Sequence, residues 1–244
     1  MPQAQATLDV RFNPDLDVSA ARDAFARTGR ARIDNVLEDA SAHRLHAVLD
    51  GAVPWALAVN DGDEHAEYAL ADLNALTPRQ KTRFNRAVWS RARTRFQYMF
   101  YQVAISEAVR KGWNAGHPLL DVNGLVNSAT ALDLARTVTG EGAVRLADAI
   151  ASCYLAGHFL ARHDDIHHRH DRIAAYVLGL TPDWSSDWGG LLQFFDDTGR
   201  IVDGFTPGFN TLTLFSVPQA HAVSLVTPWA GGKRLSITGW FRRR

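Results

Sequence analysis

His163 and Asp165 stand two apart in Tyr154-Leu-Ala-Gly157-His158-Phe-Leu-Ala-Arg162-His163-Asp164-Asp165. Residues two apart on a β-strand face the same side, so this spacing predicts an imidazole and a carboxylate aimed at one point. Asp164 would face away. A third ligand is expected from His221, which follows Phe215-Ser-Val-Pro-Gln-Ala and opens a further apolar run. Two imidazoles and one carboxylate leave coordination positions open, a set that suits a catalytic non-haem Fe(II).

A second feature adds an anion receptor. Lys233-Arg234-Leu-Ser236-Ile-Thr238-Gly-Trp240 alternates like a strand, so Arg234 and Ser236 share a face. A guanidinium fork beside a hydroxyl fits a carboxylate. The plain alternative is a surface arginine on an edge strand, which the apolar setting argues against. A rival metal reading takes His163 and His167 as a zinc-protease pair. That pattern needs a helix and a glutamate base, whereas the flanks read as strand and the base would be Asp164. A cupin-like metal-binding or sensing protein is a further alternative; it would not need Arg234.

These residues need a scaffold, and the composition permits one. The chain has 244 residues, 46% hydrophobic and 21% charged, as expected of a globular protein with a real core. Lys plus Arg and Asp plus Glu each total 26, so no field of one sign surrounds the protein. The single cysteine, Cys153, rules out an intramolecular disulfide and a thiolate zinc site. The N-terminus shows no signal-peptide pattern and no run is apolar enough to span a bilayer. The cytoplasm is therefore the expected compartment.

Helical spacing is expected over 18–28 and 38–49, with a strand at 31–37 between them. The longest helix, or two joined ones, is expected from Thr77-Pro78 to Lys111. Thr77 can cap it, and Pro78 suits its first turn. Phe84, Val88, Ala92, Phe96, Met99, Phe100 and Val103 recur along it at spacings of three and four. Its basic residues run from Arg79 to Lys111, as either a solvated face or a patch for an acidic or nucleic-acid-associated partner. Residues 52–74 and 114–127 read as loops, and 128–138 as a short helix. Strands are expected near 145–154, 158–165, 172–180, 190–196, 200–205, 210–217, 221–226 and 234–241. Short strands at such intervals suggest a sandwich or barrel, a jelly roll among them. The expected layout is one domain over 1–244. Residues 1–143 would be mostly helical support and substrate side, and 144–244 the mainly β core. His167–His170 reads as an exposed loop, with a lid role as its alternative.

From about Asp148 to Phe241 the chain resembles the Fe(II)- and 2-oxoglutarate-dependent dioxygenases, in their prolyl hydroxylase-like branch. Tyr154, Gly157, His163 and Asp165 carry the first part of the likeness. Trp188-Gly189-Gly190-Leu191-Leu192, Pro207-Gly208-Phe209-Asn210 and His221-Ala-Val223 follow in order, and the terminal strand from Arg234 completes it. His163-Asp164-Asp165 and Pro182-Asp183-Trp184 are most similar to the catalytic domain of ribosomal prolyl hydroxylases. The resemblance implies a double-stranded β-helix, or jelly roll, supported by helices. It implies Fe(II) on His163, Asp165 and His221, and 2-oxoglutarate held by Arg234 with Ser236 and Tyr154. O₂ is the oxidant and ascorbate a candidate reductant. The reaction implied is hydroxylation of an unactivated C–H with succinate and CO₂ as co-products. The substrate would be a prolyl residue in a protein or peptide. A free amino acid or small metabolite is the alternative, and neither a membrane nor nucleic acid as direct substrate is expected. Tyr176-Val177-Leu178 stands where many relatives have Tyr-Leu-Asn.

Overall fold

The computed structural model describes residues 8–62, 64–166 and 171–244. The first half runs α1 (Ser19–Thr28), β1 (Arg30–Asp34), α2 (Asp39–Asp50), β2 (Ala56–Asp61), β3 (Glu64–Ala69) and α3 (Leu70–Ala75). It continues with α4 (Pro78–Ala92), β4 (Tyr98–Val103), α5 (Ile105–Lys111), α6 (Val122–Val126) and α7 (Ala129–Thr139). The second half is almost all strand: β5 (Leu146–Ala147), β6 (Ile150–Tyr154), β7 (Phe159–His163), β8 (Arg172–Leu180) and β9 (Leu192–Phe195). Then come β10 (Ile201–Phe205), β11 (Phe209–Ser216), β12 (His221–Val223) and β13 (Arg234–Arg242).

The strands form one curled antiparallel sheet in the order β1-β11-β8-β13-β6-β4-β7-β12-β9-β10. Its two ends meet through side chains. Arg30 on β1 lies 3.1 Å from Asp203 on β10, and Arg32 donates to the Thr206 carbonyl at 2.9 Å. Alternation then sorts the long wall of this half-barrel into two faces. Ile33, Leu212, Leu214, Leu178, Leu180, Leu235, Ile237, Ala151 and Cys153 all point outward into one buried cluster. Phe25 of α1, Leu45 and Leu49 of α2, Ile105 of α5 and Val138 of α7 complete that cluster. Burying each large aliphatic side chain there contributes about 1.5–3 kcal/mol. The helices are therefore the outer layer, and the opposite face of the sheet is left to the barrel interior.

On that inner face, register aligns Thr211 with Gly179, Gly179 with Ser236, Ser236 with Ser152, and Ser152 with Gln102. This row of small or polar side chains crosses five strands. A Cβ on Gly179 would sit 2.7 Å from both the Gly208 carbonyl oxygen and Thr211 Oγ1. The expected jelly-roll core with a helical layer is the fold observed.

Several local expectations need correction. The long helix does not continue to Lys111. It stops at Ala92, and Tyr98–Val103 forms β4, which pairs with β2, β6 and β7. Phe96, Met99, Phe100 and Val103 fitted a helical period, but short apolar runs satisfy either period, and the aromatic content of Tyr-Met-Phe-Tyr favours a strand. The expected loop at 52–74 is a β-hairpin followed by α3. The expected loop at 114–127 contains a 3₁₀ turn at Pro118–Asp121 and α6. The α4 start is as expected: Thr77 and Gln80 form a reciprocal capping box, with Pro78 in the first turn. The His167–His170 loop lies outside the described residues.

Candidate metal and carboxylate site

His163 is the last residue of β7 and His221 the first of β12, and the two pair directly across the ladder. Their rings lie 4.1 Å apart between centroids. Asp165 reaches both: Oδ1 is 3.2 Å from His163 Nε2, and Oδ2 is 3.5 Å from His221 Nε2. One ligand atom from each of the three can be chosen so that all lie within 4.8 Å of one another.

The strand rule that singled out His163 and Asp165 is not what joins them. β7 ends at His163, and Asp165 takes a left-handed backbone with φ 63°. A non-glycine residue adopts that conformation rarely, Asp more readily than most. Asp164 Oδ1 accepts from the Ile166 amide at 3.0 Å and steadies the turn. Arg172 on β8 donates to the Asp165 carbonyl at 2.9 Å, and its guanidinium lies 3.5 Å over the Trp240 ring of β13. The turn also removes the zinc-protease alternative, since residues 164–166 are not helical.

Hydrogen bonding sets the histidines' free nitrogens. His163 Nδ1 pairs with the Ala161 carbonyl at 3.0 Å, and His221 Nδ1 with the Gln219 carbonyl at 2.8 Å. A carbonyl can only accept, so each Nδ1 carries a proton, and Nε2 is the nitrogen each ring turns toward Asp165. Burial, aided by repulsion from His163, lowers the His221 pKa to about 4, so that imidazole is neutral at pH 7. Burial opposes ionisation of Asp165, but the hydrogen bond from His163 and the nearby His221 outweigh it and hold the carboxyl at about 2. Two imidazole nitrogens and one carboxylate are a donor set that suits a divalent ion.

Arg234 opens β13 and pairs with Tyr154 of β6, while Ser236 pairs with Ser152. Arg234 is buried, at 4% exposure. Its guanidinium lies 4.8 Å from the centre of the Tyr154 ring. Burial pushes its pKa down, and Tyr154 alone opposes this; no carboxylate of the described residues pairs with it. Burial likewise pushes the Tyr154 phenol up. A buried guanidinium is costly unless paired with an anion, so Arg234 is a candidate receptor for a carboxylate. Ser236 hydrogen-bonds Ser152 at 2.8 Å and lines a pocket with Arg234, Gly179 and Thr181. Gly189 and Gly190 explain the Gly-Gly pair: both have positive φ, a Cβ on Gly189 would overlap the Leu225 carbonyl, and one on Gly190 would press on Arg234.

Tyr176 does not face this pocket. It points outward and donates to the Asp148 carbonyl at 2.8 Å, while Gly179 occupies the inner position further along β8. Sequence reasoning missed the wall supplied by β4. Phe96 lies 5.4 Å from the His163 ring and 5.6 Å from Tyr98. Tyr98 lies 5.7 Å from Phe100, and Phe100 stacks on Tyr154 at 4.9 Å. These aromatics run from the His163 side to the buried arginine. The spacing of 96, 98, 100 and 102 was the available signal, a period of two hidden inside an apparent helix. His65 of β3 hydrogen-bonds Tyr98 at 2.6 Å and Glu67 at 3.1 Å, so the hairpin braces that wall. A separate cleft of about 1070 Å³ between residues 8–18 and α5–α7 holds none of these residues.

Residues 149–242 match the model of the 2OG-Fe(II) oxygenase superfamily. Over 87 residues the chain is 40% identical to a prolyl 3-hydroxylase of Xenopus laevis, and over 86 residues 37% identical to that of Mus musculus. The frog match covers 32% of this chain and 16% of its relative, so the chain spans only a small part of that protein's length. Among solved structures, a Pseudomonas putida prolyl-4-hydroxylase superposes with TM-score 0.53 at 18% identity, covering 93% of this chain and 100% of that one. A Trichoplax adhaerens prolyl hydroxylase, solved with a hypoxia-inducible-factor peptide, gives 0.57 at 18% identity over 91% of this chain and 87% of its own. Residues 149–242 are thus similar to the 2OG-Fe(II) oxygenase superfamily and in part to prolyl 3-hydroxylases, and the solved prolyl hydroxylases share the fold.

Proposed function

We propose that the protein is an Fe(II)- and 2-oxoglutarate-dependent dioxygenase that hydroxylates a prolyl residue of a protein or peptide. One observation carries the reading. Three convergent ligand atoms on His163, Asp165 and His221 share a barrel with a buried Arg234 that no carboxylate of the described residues pairs with. His163 and His221 would hold the metal through Nε2, and Asp165 through its carboxylate. Arg234 would pair with the distal carboxylate of 2-oxoglutarate, with Ser236 and Tyr154 beside it. Bound iron would supply the activation of O₂, while 2-oxoglutarate supplies two electrons and leaves as succinate and CO₂. The chain's own part is to orient the two imidazoles through their Nδ1 hydrogen bonds, to fill the barrel's interior with Leu192, Phe194 and Phe215 so that water is excluded, and to offer the Phe96–Tyr98–Phe100 wall to the substrate. The names of the matched relatives support the prolyl assignment. No described helix is long and apolar enough to cross a membrane. The cytoplasm is the setting we propose.

Anaerobic Fe(II) plus 2-oxoglutarate should give a weak visible charge-transfer band that His163→Ala abolishes. A band unchanged by that substitution, or none in the parent protein, refutes the oxygenase reading. Mass spectrometry then assigns the substrate: a gain of one oxygen on proline in cellular polypeptides is expected, and a gain confined to free amino acids overturns the prolyl assignment.

A further inference from the structure

The outward face of α4 carries charge that the proposed catalytic site does not use. Phe84 and Val88 turn its other face into a small cluster with Leu57 and Met99. At 3.6 residues per turn, Arg79, Arg83, Arg86 and Arg93 fall in a single stripe on the opposite side. Arg93 continues the helical backbone as the C-cap. All four are exposed, and none forms an ion pair among the described residues; Arg91, off the stripe, pairs with Asp61 at 3.3 Å. The helix itself contains no acid. Two exposed aromatics accompany the stripe: Trp89, 43% exposed and anchored to the Gly157 carbonyl, and Phe96, 44% exposed. Phe96 is the ring beside His163, so the stripe leads to the mouth of the metal site.

We propose that this stripe docks an acidic segment of the substrate polypeptide, beside the residue presented to the metal. The proposal rests on the dioxygenase reading for its direction, though not for its charge. Arginine forks suit carboxylates, because their planar donors can bind bidentately. From Arg79 to Arg93 the stripe is about 21 Å long at the helical rise, which matches roughly six residues of extended chain. A peptide is favoured over nucleic acid. Nucleic-acid binding commonly draws on about 6–10 neutralised phosphates, while this track is one arginine wide on a protein of zero net charge.

The test uses the full chain without metal, so that it stands apart from the oxygenase assay. Fluorescence anisotropy would follow fluorescein-labelled octaglutamate and, separately, labelled dodecauridylate at low salt. Octaglutamate should bind, weaken about tenfold in Arg83→Glu/Arg86→Glu, and weaken as salt is raised to a physiological level. Arg27→Glu, on the exposed side of α1, should change nothing. Circular dichroism and thermal melting establish that the variants stay folded. Absence of octaglutamate binding, binding indifferent to the double substitution, or tighter binding of the oligonucleotide at the same arginines each overturns the proposal.

Discussion

Replacing Arg234 by methionine should make the ligand-free protein more stable and the ligand-bound protein unattainable. Arg234 is 4% exposed and, among the described residues, has no carboxylate partner; what opposes its desolvation is Tyr154, whose ring lies 4.8 Å away. Desolvating an ion costs several kcal/mol even after relaxation, and a desolvated cation–π contact returns about 2 kcal/mol. The residue is thus destabilising by roughly 1–3 kcal/mol until an anion arrives, a balance consistent with the gains seen when buried ions become apolar isosteres. Methionine fills the arginine stem's volume, so the variant's Tm should rise by about 2–4 °C per kcal/mol recovered. Its loss appears in the second half of the experiment. Leaving a carboxylate without its buried partner costs about 3–5 kcal/mol, or roughly two to four decades in affinity. Thermal melting with and without 2-oxoglutarate, metal present, reads both effects. The parent should gain about 2.7 kcal/mol at a hundredfold excess over Kd, and the variant nothing. A ligand-free variant that melts below the parent, or a variant that the co-substrate still stabilises, would refute the assignment of Arg234 as the uncompensated anchor.

Three further outcomes follow from particular contacts. Asn210 Oδ1 accepts from the Leu37 amide at 2.9 Å and its Nδ2 donates to the Leu37 carbonyl at 2.8 Å, all buried; Asn210→Ala strands both groups at about 1–3 kcal/mol each, and a urea-unfolding loss under 1 kcal/mol would contradict this. Burial, against a hydrogen bond to the Cys153 carbonyl, lowers the His158 pKa from 6.5 to about 4. The unfolded chain therefore binds the extra proton first, so this stability is whole above pH 6.5 and is lost as pH falls toward 4, by about 3 kcal/mol in all. His158→Gln should flatten the stability profile across that window, and an unchanged slope would show that His158 is not its source. Gly179→Ala should cost about 1–3 kcal/mol, because its Cβ meets a backbone oxygen at 2.7 Å, and it should weaken 2-oxoglutarate binding measured by calorimetry; unchanged affinity and stability would mean the inner row has slack.

Much of the scaffold was legible because its signals are local. The capping box at Thr77 and Gln80 and the Ser128 cap on α7 each mark a helix start within four residues. The alternation Arg234, Ser236 and Thr238 survived as register along β13 because one face is packed and the other lines a barrel. The meeting of His163, Asp165 and His221 was anticipated for a reason the chain does not use. A period-two argument placed Asp165 on the strand, whereas a left-handed turn and a contact from Arg172 place it. Neither the turn nor that contact has a sequence period. β4 was hidden for the opposite reason. Phe96, Met99, Phe100 and Val103 satisfy a helical spacing, and only pairing with β2, β6 and β7 decides between the periods. Non-local pairing outweighs a local pattern there, and it brings in the aromatic wall with it.

The order of the strands also bears on how the chain is made. β13, the last strand in sequence, lies in the middle of the sheet between β6 and β8. During N-to-C synthesis those two neighbours emerge first, each with a bare hydrogen-bonding edge that only the final strand can cover. β1 waits in the same way for β11. Such distant pairings make folding slow and leave edges open to other chains. A nascent or truncated chain that stops before Arg234 should therefore be prone to aggregate and dependent on chaperones, and a fragment cut at residue 149 would lack β4 from the heart of the same sheet. The boundary of the matched family segment is a boundary of sequence likeness, not of independent folding.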